Sequence, residues 1–479
     1  MQQSPFIQGL MDIVGAEYVI CHPEDLLVYE YDGSVDRSMP RAVALPENAE
    51  QVSRILALAY EAGVPVAGRG SGTGLSGGAL AAPGGIQIAF TRMNHILEVD
   101  TENRTATIEP GVINLDLDTH VRKFGMRYAP DPSSQKACSL GGNIAENAGG
   151  PHCLAYGATT NHVLEMEVAL EDGTQVYLGS TAREVPGYDL RGVFVGSEGT
   201  FGIATRITVR LLPLPETVKT FMGVFPDIDS ACSAVSAVIG HGIVPAALEM
   251  IDALSIRAVQ NVTDAGYPDD AGAVLLIELE GLWEEVDEVS REVESALWET
   301  GASDVRVAEE DSERERLWLG RKTAFGAFGT IAPNYYLVDG VVPRTRLTQV
   351  LRKVSEVSEK YGIIIANVFH AGDGNLHPCM LFDEREPGVK DRAMAGAAEL
   401  MEYCVEMGGS LSGEHGIGLE KKQFMPLVYT EEDLARMKLA RDAFAPANRL
   451  NPGKIFPDGE EYEPAMQRTP GQVDPGWYV

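Results

Sequence analysis

Between residues 68 and 78 the chain reads Gly68-Arg69-Gly70-Ser71-Gly72-Thr73-Gly74-Leu75-Ser76-Gly77-Gly78, a run of glycine so dense that it reads as a loop. It permits a loop whose backbone visits positive φ and turns successive N–H groups toward one point. Such a nest suits a pyrophosphate, with Ser71, Thr73 and Ser76 as further donors. The lysine of a Walker loop is missing, and the G-x-G-x-x-G spacing of a nicotinamide site is embedded in a longer run. A flexible surface loop is the competing reading, but the loop does not stand alone. A second cluster runs Pro130-Asp131-Pro132-Ser133-Ser134, Ser139-Leu140-Gly141-Gly142-Asn143 and Asn147-Ala148-Gly149-Gly150; a third is Gly196-Ser197-Glu198-Gly199-Thr200-Phe201-Gly202-Ile203. Glycine pairs beside Asn and Ser let a flat ring system lie against the main chain, and plain turns rarely arrive in three such sets.

The segments around these loops alternate between the helical and extended periods. Val52, Ile55, Leu56 and Ala59 share a helical face that Gly63 ends, and an extended run at 64–66 leads into the first loop. Strands are expected at 86–90, 96–99, 105–109 and 203–212, a helix at 115–123, and a hairpin joining 163–170 to 176–178 through Asp172-Gly173. Pro213 and Pro215 close this half, which puts a domain boundary near Glu216. Beyond it, strands are expected at 221–225, 273–279, 363–369 and 376–382, with helices at 230–239, 284–298, 347–360, 392–407 and 431–444. The expectation is an α+β chain: an N-terminal segment (1–40), a domain at 41–216, a second at 217–456 and a Pro-, Gly- and Glu-rich tail at 457–479 that wraps the surface or is loose.

With 38 basic and 70 acidic side chains the formal charge is −32, which argues against nucleic acid and against adsorption to an anionic membrane. Any phosphate must then be held by backbone N–H groups and helix ends rather than by a lysine cluster. The six cysteines form no C-x-x-C pair, so neither a zinc knuckle nor an iron–sulfur cluster is indicated, and buried thiols are expected. Residues 1–15 lack an export pattern, and no run reaches the ~18 apolar residues of a membrane span. A cytoplasmic location without direct membrane insertion is expected, with docking on a membrane-bound partner left open.

Polar chemistry gathers in the second half. Phe369-His370-Ala371-Gly372-Asp373-Gly374-Asn375-Leu376-His377-Pro378 sets two histidines seven residues apart across a glycine turn, so that flanking strands would aim both imidazoles into one cleft. Ser412-Gly413-Glu414-His415-Gly416-Ile417-Gly418 adds a carboxylate and a third histidine between glycines. Two His and one Glu suit zinc, manganese or iron with positions open for a substrate, although a single histidine in a turn is ordinarily just a hydrogen-bonded turn residue.

The three glycine clusters, in this order over about residues 40–215, resemble the FAD-binding domain of the vanillyl-alcohol oxidase and p-cresol methylhydroxylase flavoproteins. That resemblance implies a two-subdomain FAD-binding domain followed by an α+β substrate (cap) domain with an antiparallel sheet. It places Arg69, Gly70, Ser71, Gly72, Thr73, Gly74, Leu75, Ser76 and Gly77 on the FAD pyrophosphate. Pro130, Asp131, Ser134, Gly141, Gly142, Asn143, Asn147, Gly149, Gly150, Gly157, Glu198, Ile203 and Asn451 would line the rest. Many relatives bind FAD covalently through a loop histidine; none stands at 68–78, so non-covalent FAD is expected.

Residues 217–456, ending Asn451-Pro452-Gly453-Lys454, resemble the C-terminal domain of FAD-linked oxidases acting on D-lactate, glycolate and D-2-hydroxyglutarate, and most nearly those of the glycolate oxidase catalytic-subunit type. The resemblance makes His370, His377 and Glu414 ligands of one divalent metal and His415 the general base. Arg321 becomes the clamp on the substrate carboxylate, the alternative for it being a solvated helix cation. Phe325, Tyr336 and Cys379 stand where the 2-hydroxyglutarate enzymes tend to place further polar groups, which favours a smaller acid. The implied reaction takes a small D-2-hydroxy acid to its 2-keto acid. Electrons would leave to an iron–sulfur subunit, a quinone pathway or an electron-transfer flavoprotein, since the chain has no cluster or haem motif of its own. A metal-free flavin alcohol oxidase and a non-catalytic electron-relay subunit are the alternatives; a flavin-free metallohydrolase leaves the glycine clusters without a purpose.

Overall fold

Asn48 starts the helix Ala49–Ala62 by accepting the Gln51 N–H, and Gly63 ends it in the left-handed conformation (φ 64°). The strand Val66–Arg69 follows and delivers the chain into the first glycine loop. The computed structural model describes residues 4–182 and 186–459, which divide into two compact units.

The first unit is built on two sheets. One has the order Val19–Ile20, Val43–Ala44, Ile86–Ala89, Val66–Arg69, with parallel pairing among the last three. Val52, Ile55, Leu56 and Ala59 pack on it against Val66, Ile86 and Ile88, so the helical stripe seen in the sequence is the buried face. Each such aliphatic side chain contributes roughly 1.5–3 kcal/mol on burial. The other sheet is antiparallel, in the order Ile96–Asp100, Thr105–Ile108, Ile203–Arg210, Val163–Ala169, Gln175–Gly179. Its buried face meets Leu117 and Val121 of the helix Asn114–Arg122. Two sheets with two cores are the two subdomains expected.

The second unit carries a nine-stranded sheet in which every pairing is antiparallel. Its central strands run Thr217–Phe225, Ala273–Gly281, Ala247–Asp252, Ile364–His370. Alternation along them divides the chemistry. Phe221, Phe225, Leu248, Met250, Leu275, Ile277 and Phe369 join one hydrophobic cluster with the helices Ile228–Gly240, Trp283–Glu299 and Leu347–Tyr361. The opposite face receives Thr220, Glu249, Glu278 and His370, and the helix Asp311–Ala327 supplies Trp318 and Arg321 to it. Neither that helix nor the strand Ala247–Asp252 is evident in the sequence, since each mixes charged and apolar residues without a clean period.

The units depart from a linear boundary at two places. Pro151–Tyr156 belongs with the second unit, where His152 and Tyr156 bond Glu278 and Glu280 of the sheet. From Glu414 to Gly459 the chain packs with the first unit. The cause is specific packing: Leu450 lies in the first unit's core, Val66 exchanges backbone bonds with Arg449 and Asn451, and Phe444 stacks on Phe201. Of the tail expected from 457, residues 460–479 lie outside the described residues. All six cysteines are free thiols, four of them buried. Among the described residues no helix is long and apolar enough to cross a membrane.

Candidate active site

In the first unit the three glycine clusters meet around the short helix Leu140–Glu146. Gly70 lies so close to its N-cap Ser139 that a Cβ would overlap the Ser139 hydroxyl. The third cluster joins from the side, the N–H groups of Gly196 and Glu198 donating to the carbonyls of Ile144 and Ala145 at 2.9 and 2.8 Å. Asn451 ties two of the loops together, its Nδ2 donating to the carbonyls of Gly78 (2.8 Å) and Glu198 (2.7 Å). Gly70, Ser71 and Ser139 line a cleft beside the first loop together with Phe90, Thr91, Asn94 and Ile113. A glycine-opened, polar cradle of this kind, without lysine, fits a dinucleotide held by backbone donors.

The remaining positions expected around the cofactor divide by role. Arg69 is buried beneath its own loop, over the Tyr29 ring at 5.6 Å, and its Nη1 has no hydrogen-bond partner among the described residues. Pro130 and Asn143 accept the two hydrogens of the Asn114 amide, Ser134 begins a turn closed by Cys138, and Gly150 lies against Asp131. Asn147 caps the short helix at φ 53° and accepts the Thr160 N–H, and Gly157 abuts Asn161. Ile203 is a core side chain packed toward Gly68.

Glu198 shapes the return segment of this unit. Held at φ 51°, its buried carboxylate accepts the N–H groups of Ile417 (2.7 Å) and Gly418 (2.6 Å), beside the expected base His415. Burial pushes its carboxyl up despite those two bonds, and burial together with the Glu198 charge pushes Glu146 well above the ordinary carboxylate range. Lys454 donates to Gly78, Leu80 and Asn451, and burial lowers its ammonium to about 8. Within the same unit His415 Nε2 lies 3.7 Å from Glu414 Oε1.

In the second unit His370 ends one strand of the expected hairpin and pairs with Asn375 across it, which brings His377 back so that the two rings lie 5.1 Å apart, edge to face. Both imidazoles are buried. His370 sits opposite Glu249 in the sheet, and its Nδ1 is 2.7 Å from Glu249 Oε1. The second oxygen of Glu249 accepts Arg321 Nε at 2.7 Å. Burial would raise this carboxyl, but His370 and Arg321 outweigh it and hold it below the usual value. An ionised carboxylate only accepts, so Nδ1 of His370 is the donor of this contact and Nε2 is the ring nitrogen not used by Glu249. Arg321 is no solvated cation: it is 1 % exposed, and its Nη2 has no hydrogen-bond partner among the described residues. Its guanidinium lies 5.7 Å from the centre of the Phe325 ring, which in turn lies 6.4 Å from that of His377. Cys379 and Tyr336 are buried nearby in sequence and strand pairing, and burial keeps the Cys379 thiol neutral. Asp339, 3.9 Å from His377 Nδ1, accepts Ser412 Oγ and the Gly413 N–H, and Gly413 abuts Asn375 of the hairpin. Glu414 is the next residue in the chain. Glu249 is the functional-looking group that the sequence conceals.

A glycine cradle for a dinucleotide and a buried His–His–Arg–Glu cluster define a flavin-type oxidoreductase, and the comparisons agree. The model for the FAD binding domain matches residues 40–179, and that for the FAD linked oxidases, C-terminal domain, matches 214–455. The chain belongs to the FAD-linked oxidases. It is 45% identical to the glycolate oxidase subunit GlcD of Escherichia coli strain K12, covering 95% of this chain and 92% of that one. The Bacillus subtilis glycolate oxidase subunit GlcD is 41% identical over 94% and 96% of the two chains, and the Archaeoglobus fulgidus D-lactate dehydrogenase 33% over 89% and 95%. Among solved structures, 4-ethylphenol oxidase from Gulosibacter chungangensis superimposes with a TM-score of 0.79 at 19% identity, covering 95% and 97% of the two chains. p-Cresol methylhydroxylase does so with a TM-score of 0.78 at 19% identity, over 95% and 97%. The fold is thus the α+β architecture of the p-cresol methylhydroxylase type.

Proposed function

We propose that this chain oxidises a small 2-hydroxy acid, glycolate or D-lactate, to the 2-keto acid, with non-covalent FAD and one divalent metal. The observation that carries the reading is Arg321: buried, oriented by Glu249 through Nε, and left with Nη2 for a partner. A buried cationic donor without an acceptor costs on the order of 1–3 kcal/mol, which a substrate carboxylate would recover. His370 and His377 would hold the metal, with Glu414 as the third ligand that the family resemblance implies. When bound, FAD supplies the acceptor for the Cα hydride, and zinc, manganese or iron supplies a Lewis acid at the α-hydroxyl. His415 takes the hydroxyl proton, and Arg321 holds the carboxylate so that the acid presents one face only. Phe325 and Cys379 offer nothing charged to a second carboxylate, which favours the small acids over D-2-hydroxyglutarate. The relatives named glycolate oxidase subunit and D-lactate dehydrogenase support the same class. We place the protein in the cytoplasm, passing electrons to an iron–sulfur subunit or an electron-transfer flavoprotein.

The test is anaerobic. Glycolate, D-lactate, L-lactate and D-2-hydroxyglutarate are added separately to the purified flavoprotein while its visible spectrum is recorded. Bleaching by glycolate or D-lactate is expected. A flavin band that none of them bleaches, even with zinc or manganese added, would overturn the reading in favour of an electron-relay subunit or a metal-free alcohol oxidase.

A further inference from the structure

We infer that Glu249 is a positioning residue that sets the metal ligand His370 and the carboxylate clamp Arg321 in register with one another; the inference rests on the function proposed above. Its side chain is fully buried on the polar face of the sheet, and each oxygen is committed to a different one of those two groups, Oε1 to His370 Nδ1 and Oε2 to Arg321 Nε, both at 2.7 Å. Two features make this more than an ion pair. The bond to Nδ1 fixes the tautomer, leaving Nε2 of His370 as the ligating atom. The bond to Nε takes the one guanidinium N–H that lies off the terminal fork, so Nη2 is left for a substrate carboxylate.

A 2-hydroxy acid gives the physical reason for joining the two. Its hydroxyl and carboxylate stand on adjacent carbons, so the groups that recognise them must keep a fixed spacing, to a tolerance of about 0.5 Å. His370 comes from a hairpin strand and Arg321 from a helix, two elements far apart in the chain. One carboxylate on the intervening strand Ala247–Asp252 holds both. The backbone beneath it is itself pinned, because Glu249 pairs with His370 on one side and with Leu276 on the other.

Glu249→Gln tests the assignment. A glutamine amide can accept from His370 or from Arg321 but presents a donor to the remaining one. The full-length flavoprotein is dialysed, its zinc and manganese stoichiometry and affinity are measured, and kcat and KM for D-lactate are determined separately. The variant should keep its flavin, bind metal about 10–100-fold more weakly, and show a KM raised at least as far as its kcat is lowered. Glu249→Asp should be intermediate in both. Wild-type metal affinity and KM in Glu249→Gln would overturn the role, as would a uniform loss of folded, flavin-bearing protein with the remaining fraction normal. A measurement on the unaltered protein guards against a variant that does not fold: histidine-selective ¹⁵N spectra of the metal-free enzyme should show His370 protonated on Nδ1, and an Nε2–H tautomer refutes the inference. Wild-type protein that binds no divalent metal or is not reduced by any hydroxy acid would instead refute the function proposed above.

Discussion

At the scale of single residues, His370 and His377 are two buried imidazoles 5.1 Å apart on the hairpin. Removing either takes one ligand from the proposed metal set. His370→Ala and His377→Ala should therefore lower kcat/KM for glycolate or D-lactate by on the order of 10³-fold, the several kcal/mol a bound cation is worth, while the 450-nm region flavin band persists; about the same loss of activity with loss of flavin would instead mark a folding defect. Arg321→Lys keeps the charge but not the fork. Its KM should rise about 10–100-fold, in line with one charge-assisted hydrogen bond, with a smaller change in kcat, as steady-state kinetics would reveal. His370, His377 and Arg321 were legible in the sequence because histidines bracketing a glycine turn and an arginine in a matching motif are local patterns. Glu249 was not. In Leu248-Glu249-Met250 it reads as one acid in an apolar run, and its partners stand 72 and 121 residues away.

At the scale of elements, the hairpin between the two histidines depends on Gly374, whose φ is 76° and whose Cβ, if present, would collide with the carbonyl oxygen of Val342. Gly388, at φ 73° before the helix Val389–Glu406, has nothing within 4 Å of that position. Both substitutions to Ala incur left-handed strain of about 1 kcal/mol, but only Gly374→Ala must also move backbone, so its melting temperature should fall further and its metal binding with it. Equal shifts in the two variants would show that the turn is not a tight one. The return segment of the first unit has its own signature. Glu146 has a folded pKa well above 4.5, from burial first and the Glu198 charge second. The folded protein thus binds more protons than the unfolded one between those two pKa values, and stability falls as pH rises through that window. Glu146→Gln abolishes this titration, so the gain in melting temperature over wild type should widen as the pH is raised above the ordinary carboxylate range. A constant difference would place the carboxylate in water. Helices and strands with a clean period were legible from sequence; the helix carrying Arg321 was not, because its buried face includes an arginine, a glycine and a tryptophan rather than an aliphatic stripe.

At the scale of the whole molecule, the last described segment, from Glu414 on, returns to the first unit and completes it. Asn451 is the fastener, bonding Gly78 and Glu198, residues 373 and 253 positions away. Asn451→Ala takes the donor from the buried Glu198 carbonyl and leaves Gly78 with Lys454 alone, at a cost of about 1–3 kcal/mol, so both the melting temperature and the flavin-to-protein ratio after gel filtration should fall. An unchanged ratio would mean that the glycine loops hold their shape without it. The sequence by itself determined what is local: a glycine run at 70–78 that turns the chain, a histidine hairpin, and the periods of most helices and strands. These follow from φ,ψ freedom and side-chain alternation, which act over a few residues. Only the tertiary structure decided that 151–156 joins the second unit, that 414–459 joins the first, and that Glu249 links His370 to Arg321. Those outcomes rest on burial and hydrogen bonding between residues far apart in the chain, and no short-range pattern encodes which distant strand will lie alongside.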